Sequence, residues 1–183
     1  TNLYFSSLAR GIDDIATMYK YNIILANSDQ NNHKEIQVLN TLLSKQVDGI
    51  IYMGNNLTSE LRAEIVRSKT PIVLAGTIDP EHVVASVNID YKVATQEAIQ
   101  QLIENGHKNI AFVTASLKNT VASDLRLEGY KTALSVANIE FNDKFVYEIP
   151  MTYQCGEVLA EKLVQAGITA AVVTDDEAAV GLI

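Results

Sequence analysis

Short apolar runs rich in β-branched residues alternate with amphipathic helical patterns along the 183-residue chain, and no other feature limits its fold as much. The runs lie at residues 49–53, 72–75, 110–113, 145–147 and 168–173. Strand, helix and strand in this order predict parallel sheets with right-handed crossovers. Because these runs are almost wholly apolar, they fit sheets that are covered on both faces. The sequence therefore predicts an α/β fold.

The first helical pattern spans about residues 5–19 and is followed by an apolar run at residues 22–26, which we expect to form a buried strand. Apolar residues in the helix recur at spacings of three and four, as on the buried face of a helix. The positions expected to be buried are Phe5, Leu8, Ile12 and Ile15. The positions expected to face solvent include Asp13, Asp14 and Thr17. In a later helix, Thr58 is the predicted cap, and Leu61, Ile65 and Val66 are predicted to turn inward.

The alternation breaks between residues 76 and 86, where no helical pattern is found. After a short extended stretch it restarts with a helix that ends at Gly106, a residue suited to a left-handed helix stop. A later helix is predicted to stop at Gly167. We therefore divide the chain into an N-terminal lobe, residues 1–88, and a C-terminal lobe, residues 89–183. The first helix has no strand before it and the last helix has no partner after it. We therefore expect the reading frame to be longer and both lobes to be incomplete here.

The chain carries 14 basic and 22 acidic side chains, for a formal net charge of −8, and the acidic excess is spread evenly. Because capture of DNA phosphates needs clustered Lys and Arg, this segment is not expected to hold nucleic acid itself. No apolar run reaches the length of a membrane span, so no membrane association is expected. The single cysteine, Cys155, excludes an intrachain disulfide and fits a reducing cytosol.

Motifs for enzymatic chemistry are missing from the sequence. There is no phosphate-binding loop and no Gly-rich dinucleotide fingerprint, so no cofactor is expected. His33, His82 and His107 are far apart and have no ligand partner at helical spacing, so no metal site is expected. Cys155 has no evident base, and neighbouring carboxylates such as Asp13 and Asp14 diverge in direction. We therefore expect no catalytic residues and no enzyme activity.

Small polar residues follow the predicted strands, at the edge where open α/β sheets bind ligands. These strand ends are Asn27-Ser28, Gly54-Asn55-Asn56, Ala75-Gly76, Ala115-Ser116 and Asp175-Asp176. Amides and hydroxyls suit hydrogen bonding to a polyhydroxy ligand. Loops at these positions are also polar in proteins without a ligand, and composition alone does not separate the two interpretations.

Six fragments occur in an order and spacing that together are specific. They are Asn2-Leu3-Tyr4-Phe5, Lys45-Gln46-Val47-Asp48-Gly49-Ile50-Ile51, Val87-Asn88-Ile89-Asp90, Leu102-Ile103-Glu104-Asn105-Gly106-His107-Lys108-Asn109-Ile110-Ala111, Arg126-Leu127-Glu128-Gly129-Tyr130 and Asp176-Glu177-Ala178-Ala179-Val180-Gly181. With them the whole chain resembles the lac/gal repressor family of bacterial transcription regulators. The stretch from residues 8–12 through residues 27–31 resembles the branch of low-GC Gram-positive bacteria that acts in carbon catabolite control.

This resemblance implies a cytoplasmic regulator with two periplasmic-binding-protein-like lobes, two Rossmann-like parallel sheets joined by a hinge. It also implies a homodimer and an N-terminal helix-turn-helix head, absent here, that binds operator DNA. The catabolite control branch implies a protein corepressor, the serine-phosphorylated phosphocarrier HPr. Sugar phosphates such as fructose bisphosphate or glucose 6-phosphate are implied as additional effectors.

Carried over by the resemblance, the effector-binding positions are Arg126, Asp175, Asp176, Asp90, Tyr4, Phe5 and Asn55. A guanidinium such as that of Arg126 suits bidentate contact with hydroxyls or phosphate, although a helix-surface arginine is the plain alternative. Family members often have Asn where this chain has Asp175, and Val93 stands where the lac repressor has a sugar-binding aspartate. The extra carboxylate disfavours an anionic sugar phosphate and favours a protein corepressor.

Two further interpretations follow from the resemblance. Asp13, Asp14 and Thr17 are candidate contacts to the phosphocarrier, or else an ordinary solvated face. A second function class is an extracytoplasmic sugar-binding protein of a transport system, which shares the two-lobe fold. A helix-turn-helix upstream of Thr1 would indicate the regulator, and a signal peptide would indicate the transport protein.

Overall fold

The computed structural model describes residues 3–29, 31–54, 57–117 and 121–183. It divides into two compact units, Thr1–Gln46 and Val47–Ile183. Parallel strands and intervening helices confirm the predicted α/β class. The described strands that precede residue 88 form one sheet and those that follow it form another, while the lobe boundary at residue 88 stays a prediction.

The first unit contains helices α1, Leu3–Met18, and α2, Asn32–Ser44. Asn31 caps α2, because its side chain accepts a hydrogen bond from the Lys34 amide at 3.1 Å. On α1, the predicted solvent face is exposed, as the side chains of Asp13, Asp14 and Thr17 show.

One predicted buried position on α1 is wrong. The side chain of Ile15 is 55% exposed, whereas Phe5 and Ile12 are half-buried. At about 100° per residue, Ile15 lies at the edge of the stripe that Phe5 and Ile12 share with Ala16. Ile15 follows Ile12 by three residues, so it lies on the same side of the helix but outside the half-buried stripe.

The predicted strand at residues 22–26 is also wrong. The segment is outside every strand of the described residues, and Ile23, Ile24 and Leu25 are 43%, 52% and 77% exposed. A strand exists only when its backbone pairs with a neighbour. An apolar, β-branched composition supplies the side chains for a strand but does not supply that neighbour.

The second unit holds two parallel sheets. In the first sheet the strand order is β1-β2-β3, and in the second it is β5-β4-β6. The strands are β1 Ile50–Tyr52, β2 Ile72–Ala75, β3 Ser86–Val87, β4 Ile110–Thr114, β5 Val146–Glu148 and β6 Ala170–Val173. The helices are α3 Ser59–Arg67, α4 Tyr91–Glu104, α5 Val121–Val136, α6 Tyr153–Gln165 and α7 Asp176–Leu182, and a short 3-10 turn, Asp143–Phe145, precedes β5.

The second sheet has the covered faces that the sequence predicts. Every residue of β4 is buried, and its first four side chains alternate between two apolar clusters. Ile110 and Phe112 pack with residues of α4 and α5, whereas Ala111 and Val113 pack with residues of α6. Because successive side chains of a strand point to opposite faces, the four apolar residues at 110–113 serve both clusters.

The first sheet is less covered than the sequence predicts. Ile51 in β1 is 48% exposed. In α3, the predicted cap is confirmed, since the Thr58 hydroxyl accepts from the Leu61 amide at 3.2 Å. Leu61 and Ile65 are buried, but Val66 is 56% exposed because the next helical position turns away from the packed face.

Glycines end two helices where the sequence predicts a stop. Gly106, after α4, has φ +94°, and Gly167, after α6, has φ +71°. Both values lie in the left-handed region that glycine reaches without strain. These stops set the starts of β4 and β6, and thus where their carboxyl ends lie.

Candidate functional site

A cleft of about 210 Å³ lies within the second unit, beside the carboxyl end of β6. Helices α4 and α5 contribute most of its remaining lining. The lining residues are Ile89, Tyr91, Ala94, Thr95, Ala98, Arg126, Val172, Val173 and Thr174. Its walls are largely apolar, with hydroxyls from the threonines and a cation from Arg126. Such a site suits a small anion whose remaining surface is partly apolar.

Arg126 is held against an aromatic ring. Its guanidinium carbon lies 4.4 Å from the centroid of the Tyr91 ring, within the range of a cation–π interaction. Tyr91 is buried, and its hydroxyl donates to the carbonyl oxygen of Gly76 at 3.3 Å. The cation is therefore half-buried and presented to the cleft rather than extended into solvent.

Close packing of α4 and α5 brings these two residues together. A Cβ atom on Gly129 would lie 2.3 Å from the carbonyl oxygen of Lys92, so only glycine allows this approach. An ion pair between Lys92 and Glu128 joins the same helices. On α5, Arg126 precedes Gly129 by three residues and therefore lies on the same helix face. That face is next to the start of α4, where Tyr91 precedes Lys92.

Two hydroxyls and one carboxylate shape the carboxyl edge of the second sheet. The Thr174 hydroxyl donates to that of Thr114 at 3.4 Å, and Thr114 is buried. Glu148, at the end of β5, accepts from the Leu117 amide at 2.8 Å and so fixes the start of the loop after β4.

Two of the three predicted aspartates cap helices. Asp175 caps α7, and its side chain accepts from the Glu177 amide at 2.9 Å. Asp176 is exposed in the first turn of α7. Asp90 caps α4 by accepting from the Val93 amide at 3.0 Å. The cleft lining includes Arg126 but none of these three aspartates.

Other predicted effector positions are not brought to the cleft by any described contact. Asn55 and the side chain of Tyr4 lie outside the described residues. Phe5 is half-buried in α1, in the first unit. Sequence reasoning missed Tyr91, Thr95 and Thr174. Tyr91 follows the quoted Val87-Asn88-Ile89-Asp90 fragment directly, and Thr174 ends the last strand, so their positions in the sequence could have indicated them.

A second polar cluster, also missed, surrounds Asp79. Its side chain is 1% exposed and pairs with Arg62, whose Nε and Nη2 each lie 2.9 Å from Oδ1. The amides of Glu81, Val83 and Val84 donate to the same carboxylate at 2.9–3.1 Å. Burial by itself raises the pKa of the Asp79 carboxyl, but these amides and the Arg62 guanidinium outweigh it and hold the pKa below its ordinary value. The cluster fixes the loop between β2 and β3.

Residues considered for other chemistry have ordinary surroundings. In the described ranges, no group of three or more His, Cys, Asp and Glu side chains is arranged to hold a metal ion. The Nδ1 atom of His107 lies 3.0 Å from the Thr169 hydroxyl. Cys155 is half-buried in the first turn of α6. None of the helices searched in the described part of the chain is long and apolar enough to cross a membrane.

Comparison with known proteins points in one direction. The chain is 50% identical, over 182 residues, to catabolite control protein A of Streptococcus mutans, covering 100% of this chain and 54% of that protein. The crystal structure of the transcription regulator CcpA of Lactococcus lactis matches with a TM-score of 0.90 and 51% identity, covering 98% of this chain and 66% of the other. The predicted resemblance to the catabolite control branch is therefore confirmed.

A more distant solved structure carries an anion. It is a sugar-binding transcriptional regulator of the LacI family from Escherichia coli, complexed with phosphate. It matches with a TM-score of 0.83 and 29% identity, over 98% of this chain and 66% of that one. The chain spans about half the length of the curated relatives it matches.

The family comparison covers all of the sequence. Residues 1–183 match the family described as periplasmic binding proteins and sugar binding domain of the LacI family. With the two parallel sheets and the cleft beside β6, this match shows that the chain belongs to that family.

Proposed function

We propose that the chain is the effector-binding and dimerisation core of a DNA-binding transcription regulator of carbon catabolite control, acting in the cytoplasm. The observation that carries the proposal is the 50% identity to catabolite control protein A across the entire chain. The net charge of −8 agrees with it, because operator binding is assigned to a head outside these residues and not to this acidic surface. The relatives are regulators, and accordingly we propose no enzyme activity.

Operator binding by the full-length protein tests this function. We expect it to shift promoter fragments of carbon-utilisation genes in an electrophoretic mobility assay, and residues 1–183 alone to shift none. Serine-phosphorylated HPr should tighten binding, whereas unphosphorylated HPr serves as the control. A full-length protein with a signal peptide and no DNA affinity would instead support the alternative, an extracytoplasmic sugar-binding protein of transport. The regulator relatives do not favour that alternative.

The cleft is proposed to accept sugar phosphates such as fructose bisphosphate or glucose 6-phosphate through Arg126. A half-buried guanidinium beside hydroxyls suits a phosphoryl group. Asp175, whose carboxylate disfavours an anion, caps α7 and is not among the residues that line the cleft. Arg126→Ala should abolish thermal stabilisation by these ligands, whereas Arg67→Ala, on the exposed face of α3, should not. An unchanged response in Arg126→Ala would exclude this contact.

The corepressor face is proposed to include Asp13, Asp14 and Thr17 on α1, meeting a basic patch of serine-phosphorylated HPr. Complementary charge accelerates encounter more than it raises affinity. We expect Asp13→Lys and Asp14→Lys to slow association in surface plasmon resonance, most clearly at low salt, with operator binding unchanged. Asp143→Lys, an exposed acidic residue of the second unit, is the matched control. Association that ignores both substitutions and salt would remove α1 from the interface.

A further inference from the structure

Tyr91 is the first residue of α4, and its side chain contacts two other parts of the second unit. Its ring carries the guanidinium of Arg126 from α5, and its hydroxyl donates to Gly76, directly after β2. One buried side chain therefore joins both cleft helices to the carboxyl end of the first sheet.

An arginine that binds an anion needs to be held in place beforehand. The side chain has many rotamers, and ordering them on binding weakens affinity, so a guanidinium already fixed binds more tightly. The position of Arg126 depends first on the helix backbones, because Gly129 allows α5 to lie close to the Lys92 carbonyl of α4. In this packing the guanidinium carbon of Arg126 lies over the Tyr91 ring, 4.4 Å from its centroid.

The geometry points to Tyr91 as the residue that positions Arg126 for anion binding in the cleft. This inference rests on the proposed function, in which Arg126 contacts the effector. The ring does the positioning, since it supplies the face on which the cation lies. The hydroxyl has a smaller part, because 3.3 Å is long for a hydrogen bond from a hydroxyl group.

Two substitutions separate the ring from the hydroxyl. Tyr91→Phe keeps the aromatic face, and Tyr91→Leu removes it while still filling part of the space. In calorimetric titrations of the full-length protein with inorganic phosphate and with fructose bisphosphate, Tyr91→Leu should weaken binding by roughly two- to thirtyfold, the range expected for loss of a cation–π contact. Tyr91→Phe should bind within about twofold of the parent. Tyr153→Leu, which removes a half-exposed tyrosine of α6, is the control for loss of a ring elsewhere.

A second measurement does not depend on any ligand. The Nε–Hε signal of Arg126, assigned by its loss in Arg126→Lys, should be shifted upfield by the ring current of Tyr91. The shift should persist in Tyr91→Phe and vanish in Tyr91→Leu. This readout reports the position of the guanidinium and not the general stability of the fold.

The titrations and the spectra distinguish failure of the Tyr91 inference from failure of the proposed effector contact. A parent signal without ring-current shift would overturn the inference, whatever the titrations give. A shifted signal with equal anion affinity in the parent and Tyr91→Leu would also overturn it. A parent with a shifted signal that binds neither phosphate nor fructose bisphosphate would overturn the proposed effector contact, and with it the role of Tyr91 in anion binding. In that last case the spectra would still confirm the contact between the two side chains.

Discussion

The side chain of Asp79 and the strand β4 are both buried, but opposite kinds of interaction hold them. At Asp79 a carboxylate collects a guanidinium and three backbone amides. At β4 an apolar strand packs between two clusters of side chains from the helices. The first arrangement depends on charge and on donors in defined directions, and the second depends on volume. The first sheet is thus fixed partly by polar contacts, whereas the second has the apolar cover that the sequence predicts.

The largest expected effect is at the centre of the second sheet. Phe112→Ala should lower the free energy of unfolding by about 3–5 kcal/mol, because Phe112 is fully buried and stacks on Tyr130 with ring centroids 5.5 Å apart. Ile51→Ala, at a 48% exposed position of the first sheet, should cost less than about 1.5 kcal/mol. Urea unfolding measures both. Equal costs would mean that the two sheets do not differ in apolar cover.

A somewhat smaller effect is expected when the polar cluster loses its cation. Arg62→Met should lower the free energy of unfolding by about 3 kcal/mol, the lower end for breaking a buried ion pair, since the three amides still donate to Asp79. Arg67→Met, on the same helix, removes an ion pair whose arginine is 70% exposed and should cost less than about 0.5 kcal/mol. If both variants lose the same stability, the cluster is not what fixes the loop.

Acid should reduce amide protection in the loop around Asp79 before it does so in β4. The pKa of Asp79 is held below its ordinary value of 3.8, so its contribution is complete above the unfolded-state pKa and is lost as the pH falls through the lower, folded-state pKa. Hydrogen exchange, corrected for intrinsic rates, should show the Val83 and Val84 amides losing protection below about pH 4, ahead of those of β4. Asp79→Asn should remove this pH dependence. Simultaneous loss in both regions of the parent would contradict the difference.

The smallest effect is expected at the Tyr130 hydroxyl, which lies within an apolar cluster of the second sheet. Tyr130 donates to the carbonyl oxygen of Ile110 at 2.9 Å, and Tyr130→Phe should cost about 1 kcal/mol at neutral pH. Burial raises the pKa of Tyr130 to about 12, so the parent loses stability as the pH rises from about 10 to 12. The cost of the substitution should therefore shrink over that window. A constant difference in urea unfolding up to pH 12 would show that this hydroxyl is not buried.

Much of the fold could be predicted because its signals are local. The glycine stops at Gly106 and Gly167 and the cap at Thr58 depend on neighbours a few residues away. Errors arose where a distant partner decides the outcome. The run at residues 22–26 has the composition of a strand, but pairing is a property of two segments.

The candidate site was predictable in the same partial way. Arg126 was predicted through its motif and lines the cleft, while its contact with an effector stays a prediction. Tyr91 was missed because its role depends on the approach of α5, which Gly129 permits and no spacing within α4 indicates. Effector contact by Asp175 and Asp90 stays a prediction, and in the structure each carboxylate accepts from a free amide in the first turn of a helix.

The exposed segment at residues 22–26 has a consequence for the behaviour of concentrated solutions. Ile23, Ile24 and Leu25 carry no charge, favour extended backbone and lie open to solvent. Segments of this kind template intermolecular pairing of identical chains, and the neighbouring Lys20 is the nearest charge that could oppose it. We therefore expect this polypeptide to self-associate in solution. Turbidity and thioflavin binding should rise with protein concentration and with salt. A lysine in place of Ile24 should keep such solutions clear.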